Sequence, residues 1–514
     1  MSFPRASGIL LHPTSFPGRY GIGDLGREAY QFIDFLVRSG QQLWQVLPLV
    51  PTGFGNSPYM SFSTMAGNPL LISPDVLQEQ GLLHRSDLES VPDFPQDNVD
   101  FEGVINWKTP LLKQAARTFK QQATSKLQQA FETFCQQEAH WLDDYALFVS
   151  ILHQQGGVVW SEWPDELRHR HPQALEQARQ HLAEELFLHK FLQFEFFRQW
   201  ADLKAYANQW GIQIIGDVPI YVAYNSADVW AHPKLFKLDP VAGAPLEVAG
   251  VPPDYFSETG QLWGNPIYDW QYMESTNFAW WVQRLRGILD KVDMIRIDHF
   301  RGLEAYWSVP AGETTATNGK WVKAPGYALF NAIRSELGSL PIIAEDLGDI
   351  DQPVLDMRDH FDFPGMKLLH FAFGSDANNF YLPFNVSHNS VIYTGTHDNN
   401  TTIGWYEQDA SDYERYRFHQ YLGCTCPHGI AWDMIRLALS SVANQAIIAL
   451  QDVFSLGANA RMNTPSKADG NWGWRYRSEA LTDEYRDRLL SMVQIYGRYK
   501  EPPHQPEDEV GRLA

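Results

Sequence analysis

Cysteine is scarce: Cys135, Cys424 and Cys426 are the only three in 514 residues. Three thiols in a chain of this size exclude a disulfide framework and fit a reducing compartment. The run Cys424-Thr425-Cys426-Pro427-His428 lacks a fourth ligand and the usual ligand spacing, so no metal is expected there. Long apolar runs are also missing. No window approaches the roughly 20 apolar residues of a membrane span, and the opening M-S-F-P-R-A-S-G has no apolar signal core. The sequence therefore predicts a cytoplasmic protein. Positive charge is short as well: 40 Lys and Arg against 61 Asp and Glu give a net charge of -21. Such an anion repels nucleic acid and anionic membrane surfaces, which leaves a neutral ligand as the expected partner. Oligomeric state is not legible.

What is plentiful is aromatic surface, 14% of the chain with 18 Trp. Each ring is either core packing or a flat platform for the apolar face of a sugar, and composition leaves both open. The length would fit two to four ordinary domains or a single barrel of about 250 residues with large insertions.

Apolar runs that end in polar residues then decide the fold class. They begin at Ser7–His12, Leu43–Leu49, Ile212–Pro219 and Met294–Asp298, and continue at Pro341–Gly348, Gly365–Phe371, Ser390–Asn399 and Gln445–Asp452. Helical patterns or long insertions separate them. The first link is a helix over Glu28–Ser39 with Gly40 in the stop position. Eight parallel strands close a barrel, so the predicted class is α/β, a (β/α)8 TIM barrel. Residues 1–74 supply its first two strands and a Gly/Ser/Pro loop, and 75–181 read as a helical subdomain inserted between strands two and three. Residues 182–500 complete the barrel, and 501–514 read as a disordered tail. Tyr221–Gly264 reads as irregular, ending in a Gly250–Pro266 loop with the character of a hinged lid, although a rigid surface loop reads as well.

Barrel chemistry sits at the C-terminal ends of the strands. Those ends here carry Asp217, Asp298 with His299, Glu345 with Asp346, and His397 with Asp398. An acidic residue there often only caps the next helix, but four such ends on one rim form a constellation. In the stretch K-V-D-M-I-R-I-D-H-F-R-G, strand alternation puts Arg296 and Asp298 on one face and Ile295 and Ile297 on the other. The guanidinium is expected to lower the pKa of Asp298, as a carboxylate nucleophile requires, or simply to make a structural ion pair. Asp298 and Glu345 end consecutive strands, and neighbouring strands lie about 4.8 Å apart. Their carboxyls are thus expected near the roughly 5 to 5.5 Å separation of a retaining glycosidase pair. Glu345 would keep its proton because two other carboxylates are close, Asp398 among them.

The motifs R-I-D-H-F-R-G (296–302), A-E-D-L-G (344–348) and T-G-T-H-D-N-N-T-T (394–402) resemble the amylomaltase family, the 4-α-glucanotransferases. So do S-P-Y (57–59), G-D-V-P-I-Y-V (216–222), R-M-N-T-P (461–465) and N-W-G-W-R (471–475). The resemblance implies transfer of α-1,4-glucan segments to glucose or another glucan, without a cofactor. It implies Asp298 as nucleophile, Glu345 as acid/base and Asp398 as transition-state stabiliser. It implies sugar contacts from Tyr59, Asp217, Arg296, His299 and His397, with Trp263 and Asn265 on the acceptor side. Asn463 and Pro465 would contact oligosaccharide or support the residues that do. An α-glucan hydrolase and a metal-dependent barrel using Asp217, His299, Glu345, His397 and Asp398 as ligands are the alternatives.

Overall fold

The computed structural model describes residues 3–253 and 257–503. Eight parallel strands close on themselves: β1 (Ala6–Leu10), β2 (Leu43–Gln45), β3 (Gln213–Val218), β6 (Met294–Ile297), β9 (Ile342–Ala344), β10 (Gly365–Leu368), β11 (Ser390–Tyr393) and β12 (Gln445–Ala449). β1 pairs with both β2 and β12, which completes the barrel. The runs that form these strands are β-branched and apolar, and residues such as Ile214, Ile295, Ile343 and Ile447 are fully buried. The helix after β1 spans Arg27–Arg38, and Gly40 follows at φ +72°, a backbone that a residue without Cβ adopts at no steric cost.

Between β2 and β3 the chain is helical. Helices run over Pro74–Glu79, Phe101–Gln122, Ser125–Gln137, Ala139–Gln154, Asp165–Arg168 and Pro172–His181, and Ala183–Gln209 leads back into β3. Trp141, Tyr145, Phe148 and Leu152, spaced for one helical face, are all buried.

A second sheet departs from the sequence reading. β4 (Glu247–Val251), β5 (Gln261–Pro266), β7 (Ala305–Pro310) and β8 (Lys320–Lys323) form an antiparallel sheet in the order β5-β4-β7-β8. Gly250 and Trp263, expected in an irregular loop, therefore lie in strands. Gly250 is no free hinge: it pairs with Trp307 on one side and Leu262 on the other, and a Cβ there would meet the Gln261 carbonyl oxygen at 2.4 Å. The centre of the expected lid, including Tyr255 and Phe256, lies outside the described residues, as does the tail beyond 503. Among the described residues no helix is long and apolar enough to cross a membrane.

Candidate active site

The barrel register places the acidic strand ends side by side. In the β3–β6 pair Asp217 stands opposite Arg296, and in the β6–β9 pair Ile297 stands opposite Ala344. The ladder continues one residue past each strand: Asp298 N–H donates to the Val218 carbonyl at 3.0 Å and Glu345 N–H to the Ile297 carbonyl at 3.1 Å. Asp298 and Glu345 are thus consecutive rungs on one rim.

Arg296 is the electrostatic centre. Its Nη1 lies 2.7 Å from both carboxylate oxygens of Asp217 and 3.0 Å from Asp298 Oδ1. Tyr59 donates its hydroxyl to Asp217 Oδ2 at 2.9 Å. Arg296 is 3% exposed and the Asp217 carboxylate 0%, whereas Asp298 keeps 27% open to the cleft. Asp217 is therefore the buried anchor of the guanidinium, and Asp298 is the carboxylate presented outward. Replacing Arg296 by Met strands Asp217 in a buried site. The expected cost is about 3 to 5 kcal/mol of folding stability, read as a lower denaturant midpoint.

Arg296 does lower Asp298 as expected, but the net shift is upward. Burial is the largest influence on Asp298, and with the Asp217 and Asp398 carboxylates it outweighs Arg296 and pushes the group up to about 6. One guanidinium is serving two carboxylates. Glu345 is pushed further, to about 7, by burial first; the Asp298 charge adds to this, while Arg296 and two backbone N–H bonds oppose it. Those bonds come from His299 N–H to Oε2 at 2.6 Å and Leu347 N–H to Oε1 at 3.1 Å, and they fix the carboxyl in one orientation. Burial, with Asp298 rather than Asp398 as the neighbouring charge, thus accounts for the retained proton.

Asp398 takes the opposite course. Burial works against its charge, but His397 Nε2 at 3.3 Å and the Asn463 amide, donating to Oδ1 at 2.7 Å, hold it well below the usual carboxylate range. His397 is raised in return: the Asp398 charge prevails over burial. Its ring stacks on Tyr59 at 5.2 Å and 13°. Three carboxyls on one rim are thereby split into a firmly ionised one, one pushed to about 6, and one pushed to about 7.

The remaining expected residues are distributed around this core. His299 sits in the left-handed region at φ +50°, a conformation costly for a residue with a Cβ and most often retained at functional sites. Burial pushes its imidazole down to about 3, so it faces the cleft neutral. Trp263 meets the His299 ring edge-on at 4.8 Å, and the Asn265 amide donates to the Val222 carbonyl at 2.9 Å. Asn463 is a support for Asp398. Pro465 lies exposed in the turn after it, and nothing in the geometry joins it to the carboxylates.

Two acidic strand ends are structural instead. Asp346 is buried, paired with Arg358 and accepting the Met366 N–H at 2.7 Å. Asp452 accepts from the Thr394 hydroxyl and the Thr402 N–H. Sequence reasoning assigned no role to two neighbours of the site. Arg461 donates to the Asp398 carbonyl at 2.6 Å, and Trp472 packs on the Tyr59 ring at 5.8 Å. Both lie within the motifs R-M-N-T-P and N-W-G-W-R, which were the available signal. Among the described residues no three His, Cys, Asp or Glu side chains converge to hold a metal ion; Asp217, Glu345 and Asp398 instead find their partners in Arg296, backbone N–H groups, and His397 with Asn463.

Residues 11–482 match the family described as 4-alpha-glucanotransferase. A 4-alpha-glucanotransferase of Synechocystis sp. is 53% identical over 96% of this chain and 98% of its own length. That of Thermus thermophilus is 50% identical over 97% of this chain and 100% of its own. Among solved structures, the amylomaltase from Streptococcus agalactiae in complex with acarbose superposes with a TM-score of 0.93 at 41% identity, covering 96% of this chain and 100% of that one. The chain belongs to the 4-alpha-glucanotransferase family.

Proposed function

We propose that the protein transfers α-1,4-glucan segments from a donor to the 4-hydroxyl of glucose or of another α-1,4-glucan, by a retaining double displacement. The observation that carries this reading is the pair of consecutive rungs: Asp298 against Arg296 and Glu345 between two N–H donors. In the first step an Asp298 oxygen bonds to the anomeric carbon as the glycosidic C–O bond breaks. The Glu345 proton passes to the departing oxygen. In the second step the acceptor 4-hydroxyl gives its proton to Glu345 and its oxygen displaces Asp298. Both carboxyls return to their starting states. Asp398, held ionised, stabilises the positive charge that develops on the sugar ring between them.

Family membership favours a sugar acceptor over water. The physical requirement is that an ordered sugar hydroxyl outcompetes water at about 55 M, which takes positioning and a shielded acceptor side. Trp263 and Asn265 are the residues proposed for that wall, with Tyr59, His299 and His397 around the donor ring. Cys135, Cys424 and Cys426 are all free thiols, which supports a cytoplasmic setting.

The test is pure maltotriose. Glucose together with maltopentaose and longer chains is the expected product pattern. Maltose and glucose in equal amounts, with no longer chain at any time, would leave a hydrolase.

A further inference from the structure

Two buried imidazoles at the catalytic end of the barrel each keep a ring nitrogen that the reaction above leaves without a task. His12 lies two residues past β1 and His397 four residues past β11. They are 6% and 5% exposed. Both Nδ1 atoms are buried, and among the described residues neither finds a hydrogen-bond partner. Buried polar atoms are rarely left alone, and an ordered water is the usual partner where protein supplies none.

His12 and His397 line one cavity of about 20 Å³. A water needs about 10 to 15 Å³ and at least two polar partners. Other polar side chains on the cavity wall are engaged. Asn399 Oδ1 accepts from the Thr396 N–H and hydroxyl, and Asn400 Oδ1 accepts from the Thr401 N–H. Gln451 donates to the Ala460 carbonyl at 3.2 Å, and Arg461 directs Nε and Nη2 at the Asn463 and Asp398 carbonyls. The two imidazole nitrogens are left to hold the water between them.

Charge then assigns donor and acceptor. Burial works against a charge on His397, but Asp398 outweighs it and raises the ring; Asp217 adds to this and Arg296 opposes it. Tyr59 stacks on the ring face with its hydroxyl turned to Asp217. A protonated ring has two N–H donors. Nε2 faces Asp398 Oδ2 at 3.3 Å, so Nδ1–H needs an acceptor of its own. His12 is pushed down to about 3, by burial first and by the His397 charge second. It is therefore neutral, and a neutral imidazole offers one accepting nitrogen.

We propose that His12 is a positioning residue for the transfer reaction: through one buried water, which accepts from His397 Nδ1–H and donates to His12 Nδ1, it keeps His397 a double donor and Asp398 ionised and aimed. This rests on the reading of Asp398 as the group that stabilises positive charge on the sugar ring. No proton changes hands along the bridge.

The test has two readouts, both in the full chain. In wild-type protein with isotope-labelled histidine, nitrogen NMR at neutral pH is expected to show both His397 ring nitrogens as imidazolium N–H, assigned by their loss in His397→Gln. His12→Leu leaves the water one partner, too few to hold it. The His397 signals are then expected to move toward those of a neutral ring. In the same variant kcat for maltotriose is expected to fall about tenfold, the scale of losing an outer group that orients a histidine. KM should barely change, because the Asp398 charge is felt most when the sugar ring is positive. His12→Asn, whose Oδ1 takes the place of Nδ1, should restore both readouts. His12→Gln, which carries its oxygen at the Nε2 position, should not. A neutral His397 in wild-type protein overturns the proposal whatever the variants do. So do His397 signals that stay in place in His12→Leu and His12→Gln, and so does an equal loss of kcat in all three variants, which would be packing alone. Wild-type transfer by Asp398→Asn would sink the reading of Asp398 instead, while the His397 signals still report on His12.

Discussion

Asp298→Asn is expected to lower transfer from maltotriose by about four orders of magnitude, the scale on which removal of a covalent nucleophile is felt, with the fold intact. The fold survives because Asn keeps the size of Asp, and because Arg296 retains its closer partner, both oxygens of the buried Asp217. What disappears is the oxygen that bonds the anomeric carbon, so the glucosyl-enzyme cannot form. Intact-protein mass spectrometry checks this directly. Glu345→Gln protein, mixed briefly with α-maltosyl fluoride, should gain one maltosyl group on the peptide containing Asp298, because fluoride departs without the missing proton. The double variant Asp298→Asn/Glu345→Gln should gain none. Wild-type turnover by Asp298→Asn, or a maltosyl group on another peptide, would remove Asp298 from the role.

The parts of this site that sequence could show are those carried by local pattern. β6 is legible because Ile295 and Ile297 alternate with Arg296 and Asp298, and both Ile side chains are fully buried. The β5–β4–β7–β8 sheet is not, because Ala305–Pro310 and Lys320–Lys323 are short, carry polar and charged residues, and find partners far away in the chain, as in Glu247 against Pro310. No local period announces such a pairing. Functional acids also look like structural ones in sequence: Glu345 and Asp346 are neighbours, yet only the structure hands Asp346 to Arg358. The direction of the Asp298 shift is hidden from the sequence for the same reason. A sequence displays the Arg two residues away, but not the buried Asp217 that claims it.

That order of acidities leads to the second large effect. The reactive form needs Asp298 without a proton and Glu345 with one, so its population rises as pH passes about 6, the Asp298 value, and falls as pH passes about 7, the Glu345 value. The two protons leave in steps that belong to the pair, since each charge is felt by the other. A narrow bell in kcat/KM for maltotriose between those limits is the expected profile. Replacing Glu345 by Gln removes the group behind the alkaline limb. It should cut the rate on maltotriose by about 10²- to 10⁴-fold, the usual contribution of a general acid. On α-maltosyl fluoride the first step should suffer far less, because its leaving group needs no proton, and the limb above pH 7 should vanish. The acid limb should remain near its wild-type position, since Asp298 must still ionise and Glu345 is largely neutral in the pH range where it does so. An alkaline limb surviving unchanged in Glu345→Gln would mean that another group supplies the proton. Only Glu345 stands one rung from Asp298 on the adjoining strand, so that result would take the double-displacement geometry with it.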